Sequence, residues 1–223
     1  FSDKNVGTGK TVNITPSYAG ADVNNYSVTD QSTTTADISA KALTATASAS
    51  NKTYDGGTTA STTLTFTGLV GSETLGQTVG STFDNKNVGS NKTVTVNSIT
   101  LADGSGLATN YSISAGQTTT ADITAKSLTV SGITASNRTY DGSTNVTLTG
   151  TAVYSGLVSG DTFNGTYTGA FSDKNAGVGK TVTITSSYSG ADVSNYSVTD
   201  QSTTTANITA KSLTVSGITA SDK

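Results

Sequence analysis

The side chains able to do chemistry in this sequence are Tyr, Asp, Lys and Asn, and they recur in fixed combinations. Thr53-Tyr54-Asp55-Gly56 returns as Thr139-Tyr140-Asp141-Gly142, 86 positions later. A phenol, a carboxylate and a glycine in succession could touch a ligand, but Asp-Gly between strands is first of all a turn signal. Asp bonds nearby backbone N–H groups, and Gly accepts positive φ without a Cβ clash. The Tyr ahead of the pair is expected to lay its ring over a module edge and keep its hydroxyl wet. Tyr54, Asp55, Gly56, Tyr140, Asp141 and Gly142 are therefore read as a structural motif.

Catalysis has little raw material. The chain has no His, no Cys and a single Glu, Glu73, so Ser-His, Cys-His and zinc-histidine chemistry are all ruled out. A paired-carboxylate hydrolase would need two Asp facing each other across a cleft. The expectation is a protein that is not an enzyme and carries no cofactor. Asp173-Lys174-Asn175-Ala176-Gly177-Val178-Gly179-Lys180-Thr181 has the look of a phosphate loop, yet its glycine spacing is wrong and it leads into an alternating strand, not a helix. It reads as a glycine-bent strand connection pinned by Asp173 to Lys174 or Asn175. For calcium the acids are solitary, and only a site shared by Asp122 and Asp141 suggests itself. A Lys–Asn crosslink from Lys126 or Lys211 lacks the recurring acid such chemistry needs.

The formal charge of −3 comes with scattered Lys residues, which offers no basic patch for nucleic acid. No apolar run approaches a membrane span. Thr and Ser form roughly a third of the residues, Gly is abundant and Pro16 is the only proline, a composition that favours strands and tight turns.

The elements that must position these residues follow from the repeat. Asn-Tyr-Ser occurs at Tyr26, Tyr111 and Tyr196, and a closing Lys at Lys41, Lys126 and Lys211, in steps of 85 residues. The segments are 1–41, the C-terminal half of a repeat; 42–126 and 127–211, two complete repeats; and 212–223, the first strand of another. Starting without Met in mid-repeat, the sequence reads as a window on a longer chain.

Within 127–211 the alternation predicts strands at Leu128 to Ile133, Val146 to Tyr154, Phe163 to Phe171, Thr181 to Tyr188, Tyr196 to Thr199 and Ala206 to Ala210, with helix scarce or absent. The fold class is all-β, a tandem array of modules of about 85 residues, sandwich-like or grasp-like. Thr120 to Val130 holds neither Gly nor Pro, so one module's last strand should run almost directly into the next module's first. That favours a stiff rod.

Four motifs stand together: Arg138-Thr139-Tyr140-Asp141-Gly142-Ser143-Thr144, Phe171-Ser172-Asp173-Lys174-Asn175 with Gly177-x-Gly179-Lys180-Thr181-Val182, Gly190-Ala191-Asp192 with Asn195-Tyr196, and Ala206-Asn207-Ile208-Thr209-Ala210-Lys211. Their order and spacing resemble the YDG-type repeats of large bacterial surface exoproteins, including filamentous-haemagglutinin-like adhesins and biofilm-matrix adhesins. Asp103 sits in a rearranged loop, and Asn207 stands where Asp37 and Asp122 stand in the other copies.

The resemblance implies export to the cell surface and stalk or filament repeats that project a distal binding region. Their partners would be adjacent repeats of the same chain, with lateral self-association or matrix polysaccharide as further candidates. The alternative is a glycan- or matrix-binding module using Tyr and Thr faces, with Tyr18, Tyr140, Tyr154, Tyr167 and Tyr188 as contacts.

Overall fold

The computed structural model describes residues 1–223 and is nearly all β. Its only helical turns are the 3-10 turns Val23–Asn25, Ala108–Asn110 and Val193–Asn195, each placed directly before the Tyr of an Asn-Tyr-Ser copy. The chain forms two compact units. The first comprises Phe1–Asn51, Thr58–Asp84 and Asn91–Asp122; the second comprises Lys52–Gly57, Asn85–Ser90 and Ile123–Lys223. The second unit thus takes in two short loops from the preceding sequence repeat, one of them Tyr-Asp-Gly.

In the second unit, one sheet has the order Arg138–Thr139, Thr203–Thr209, Gly177–Ser189, Asn164–Phe171. Its first pair is parallel and the others antiparallel. A second sheet places Lys126–Ser131 between Val153–Ser155, antiparallel to it, and Tyr196–Thr199, parallel to it. The expected alternation holds: Phe171, Val182, Ala206 and Ile208 turn inward and form one core cluster. Thr183 and Thr205 fall on the wet face, where β-branched polar residues suit a strand. A second cluster joins the sheets through Val130, Ile133 and Ile184, giving the layered, sandwich-like arrangement. Burial of a side chain such as Val182, 0% exposed, stabilises by about 2 kcal/mol.

Three expectations change. The run Val146 to Tyr154 is two short strands, Leu148–Thr149 and Val153–Ser155. Gly150 breaks it at φ 79°, in a spot where a Cβ would stand 2.3 Å from the Gly132 carbonyl oxygen. Residues 212–223 form no strand, and Leu213, Val215 and Ile218 are exposed. The matching strand Lys126–Ser131 exists because it has a partner on each side; residues 212–223 have none.

The third change lies in the loop after Phe171. It turns into a strand already at Gly177, through a register shift between Gly177 and Lys180 with Gly179 at φ 61°. Asp173 accepts the Asn175 N–H at 2.8 Å, as expected, but its cation is Lys180 at 2.5 Å and not Lys174. The bulge turns Lys180 back over the loop, which the sequence spacing did not reveal.

In the first unit, Leu75–Phe83 pairs antiparallel with Gly89–Asp103 and, at its other edge, with Thr59–Ala60. Thr44–Ala49 and Thr62–Thr67 form a hairpin, and Gly7–Asn13 pairs antiparallel with Thr33–Ile38. Leu43, Leu64, Phe83, Val94 and Val96 are buried. The bulge recurs: Asp37 Oδ1 accepts from Gly9, Asp122 Oδ1 from Asn91, and in the second unit Asn207 Oδ1 from Gly179. An Asn-for-Asp exchange at this last position therefore keeps the one carbonyl-type acceptor the bulge uses. Asn91 alone occupies the left-handed region without being Gly, at φ 51°. Ala125 alone separates Thr118–Thr124 from Lys126–Ser131, as the absence of Gly and Pro implied.

Candidate functional site

The side chains that could do chemistry meet in one cluster of the second unit. Asp161 ends the Gly-rich turn after Val153–Ser155, and its side chain is 4% exposed. Tyr196, the residue after the last 3-10 turn, donates its hydroxyl to Asp161 Oδ2 at 2.6 Å and accepts the Val158 N–H at 2.9 Å. Tyr54, of the Tyr-Asp-Gly loop, donates to the same Oδ2 at 2.8 Å. Lys86 reaches Asp161 Oδ1 at 3.1 Å and Asp192 Oδ1 at 2.8 Å. A parallel pairing of Lys52–Thr53 with Ile123–Thr124 positions Tyr54, whose own N–H donates to the Thr124 carbonyl.

The electrostatics follow from this geometry. Burial opposes ionisation of Asp161, but the hydrogen bonds from Tyr196, Tyr54 and Lys86 outweigh it and hold the carboxyl below its usual range. Its bonds to Asp192, Tyr54 and Asp161 raise Lys86. Burial and then Asp161 push Tyr196 up to about 12, and the same two causes raise Tyr54. The bond from Lys86 lowers Asp192, helped by the Thr162 N–H. At neutral pH the cluster is two carboxylates, one ammonium and two neutral phenols, fully bonded to one another. Such an arrangement fixes chain segments in place.

Below it, Asn195, 1% exposed, accepts the Val88 N–H at 2.9 Å and donates to Asn87 Oδ1 at 3.3 Å. The Lys-Asn pair 86–87 of one repeat thus docks on the Asn-Tyr pair 195–196 of the next. The first unit repeats the arrangement. Tyr111 donates to Glu73 Oε2 at 2.5 Å and accepts the Val70 N–H at 3.1 Å; Lys4 reaches Glu73 Oε1 at 2.8 Å. Asn110 accepts the Val6 N–H at 2.8 Å and donates to Asn5 at 3.0 Å.

The Tyr-Asp-Gly residues divide in two. Asp55 and Asp141 are turn formers as read: Asp55 accepts from Lys52 and the Gly57 N–H, and Asp141 from both the Arg138 guanidinium and the Ser143 N–H. Gly56 and Gly142 take φ values of 81° and 84°. Tyr54, in contrast, is 1% exposed with its hydroxyl bonded to Asp161, so the wet hydroxyl expected of it is corrected. The acid in the next repeat supplies the buried acceptor, and no local feature of Tyr-Asp-Gly announces that. Tyr140 is half-buried against the Phe171 cluster.

Of the remaining tyrosines, Tyr18 is 54% exposed and donates to Asp30 at 2.6 Å. Tyr154, Tyr167 and Tyr188 are half-buried on the Val130 cluster. Tyr167 donates to Tyr154 at 3.0 Å, Tyr188 bonds Asp200, and the Phe163 ring meets Tyr154 edge to face and Tyr188 at a tilt. Asp122 is engaged by Asn91 and Asn51. No group of three or more acids is arranged to hold a metal ion.

Sequence reasoning missed Lys86, Asp161, Asp192, Asn195 and Glu73 as a set. A signal was present: Gly68-Leu69-Val70 and Gly156-Leu157-Val158 each precede a lone acid by the same spacing, at Glu73 and Asp161.

The family described as YDG domain matches residues 39–121 and 124–206. No curated protein and no solved structure matches the chain. With both repeats matched over most of its length, the chain belongs to the YDG domain family as two domains in tandem.

Proposed function

We propose that the chain is a run of structural stalk or filament repeats from a bacterial cell-surface adhesin or extracellular fibre, spacing a distal binding region from the cell. The observation that carries this reading is the Asp161 cluster. Its most chemically capable residues, Tyr54, Lys86, Asp161 and Tyr196, are spent on one another, and they come from successive repeats. A repeat that lends two loops to its successor is suited to bearing tension along a chain. On this reading the protein is extracellular, its partners are neighbouring repeats, and it performs no catalysis.

Small-angle scattering on chains of two, four and six repeats tests the proposal. A radius of gyration rising nearly in proportion to repeat number is expected. Growth near the compact-domain exponent of about 0.38 would overturn the stalk reading.

The glycan-binding alternative draws less support. Tyr154, Tyr167 and Tyr188 have their hydroxyls engaged within the protein.

A further inference from the structure

We infer that the first unit carries a socket for an extended Thr-Tyr-Asp-Gly segment of another YDG repeat. The socket is a cavity of about 240 Å³ whose lining includes Lys4, Ile38, Ser39, Val70, Glu73 and Tyr111. Its counterpart in the second unit shows what such a cavity holds. There Tyr54 lies against Tyr196, the counterpart of Tyr111, with ring centroids 5.6 Å apart and edge to face. It bonds Asp161, the counterpart of Glu73, and lies 5.8 Å below Lys86, the counterpart of Lys4. Its N–H donates to the Thr124 carbonyl, the counterpart of Ser39, and Gly56 passes over Val158, the counterpart of Val70.

Exposure supports the match. With Tyr54 seated, Lys86 and Asp161 are 37% and 4% exposed; at the socket, Lys4 and Glu73 are 76% and 17% exposed. Asp161 Oδ2 accepts two phenols, whereas Glu73 Oε2 accepts Tyr111 alone and keeps a lone pair for a second. The strand end at Ile38–Ser39 offers the same parallel edge that Ile123–Thr124 offers to Lys52–Thr53. Recognition would therefore be edge addition of a short strand, with the tyrosine as its anchor. The occupant is defined by chemistry: a phenol, two residues of parallel strand before it, and a glycine after the Asp.

The test adds a fluorescent peptide, Asn-Arg-Thr-Tyr-Asp-Gly-Ser-Thr, to the whole 223-residue chain and follows anisotropy, with amide hydrogen exchange to locate binding. Saturable binding with protection at residues 38–41 is expected. Tyr→Ala in the peptide should weaken it at least about tenfold. Gly→Ala should weaken it similarly, since a Cβ at Gly56 would meet Val158 at 2.9 Å with φ at 81°. Tyr→Phe should weaken it less than Tyr→Ala. These changes leave the protein untouched, so its folding is not in question. Equal binding of the Tyr and Ala peptides, protection elsewhere, or no binding at millimolar peptide would each overturn the socket. The stalk reading is judged by scattering, independently of these outcomes.

Discussion

Tyr54 and Tyr196 come from successive repeats, yet their rings meet edge to face at 5.6 Å and both hydroxyls donate to Asp161 Oδ2. An edge-to-face pair adds about 1 kcal/mol beyond area burial, and a shared carboxylate acceptor is stronger than a neutral one. The relationship turns a loop of one repeat into a core element of the next. It also gives Tyr-Asp-Gly two separable jobs, a turn made by Asp and Gly and an anchor made by Tyr.

The anchor can be measured. Tyr54→Phe loses one hydrogen bond and should cost about 1 kcal/mol, while Tyr54→Ala loses the buried ring and should cost about 4 kcal/mol. In calorimetry the transition of the second unit should fall by about 5 °C and well over 10 °C respectively. Tyr140→Ala, at a half-buried ring, should cost less than half of Tyr54→Ala. Equal losses at the two positions would show that burial of Tyr54 adds nothing.

Asp161→Asn keeps shape but leaves Lys86 with only Asp192 as its acid and forces an amide to accept two phenols. A loss of about 2 kcal/mol is expected in urea unfolding of the second unit, with the slope unchanged. Asp161→Ala should cost more, because Tyr54 and Tyr196 both lose a buried acceptor.

The pH dependence has a sign on each side. Asp161, Asp173 and Asp192 lie below their ordinary 3.8 in the folded chain. Their contribution is full above that value and is lost as pH falls through the folded pKa. Tyr196, raised from 10.0 to about 12, and Lys86, raised from 10.5, contribute fully below their ordinary values and lose that contribution as pH rises. With no His and no Cys in the chain, no side chain has its ordinary pKa between about 5 and 9. Thermal melts should be flat from about pH 5 to 9 and should fall beyond both ends. A step near pH 6 to 7 would contradict the assignment.

The left-handed bulge residue offers a control outside the cluster. Asn91→Ala places an unsuited side chain at φ 51° and should cost about 1 kcal/mol, whereas Asn91→Gly should change stability by a few tenths. Hydrogen exchange of the Asn91 amide, bonded to Asp122, reports the difference.

Much of the fold was legible from local rules. Alternation located Phe163 to Phe171 and the inward Val182 and Ile184, and the lack of Gly and Pro around Ala125 foretold abutting strands. Gly150 was harder, because its φ answers to the Gly132 carbonyl across the fold and not to its own neighbours. The cluster was least legible. Lys86 and Asn195 are 109 positions apart, and each alone is an unremarkable residue in a turn. Only their joint recurrence with Lys4 and Asn110 connects them, and the acid they serve changes from Glu73 to Asp161 between copies.

Because the second unit takes its Tyr-Asp-Gly and Lys-Asn loops from the preceding repeat, the unit of inheritance need not coincide with the unit of folding. Excising or duplicating the stretch between matching landmarks of two repeats, such as Lys41 and Lys126, returns a lysine and a tyrosine to the acid at the Glu73 and Asp161 position. Unequal recombination can therefore lengthen or shorten such a gene without creating an unmatched seam, whereas a deletion of half a period would strand a carboxylate without its cation.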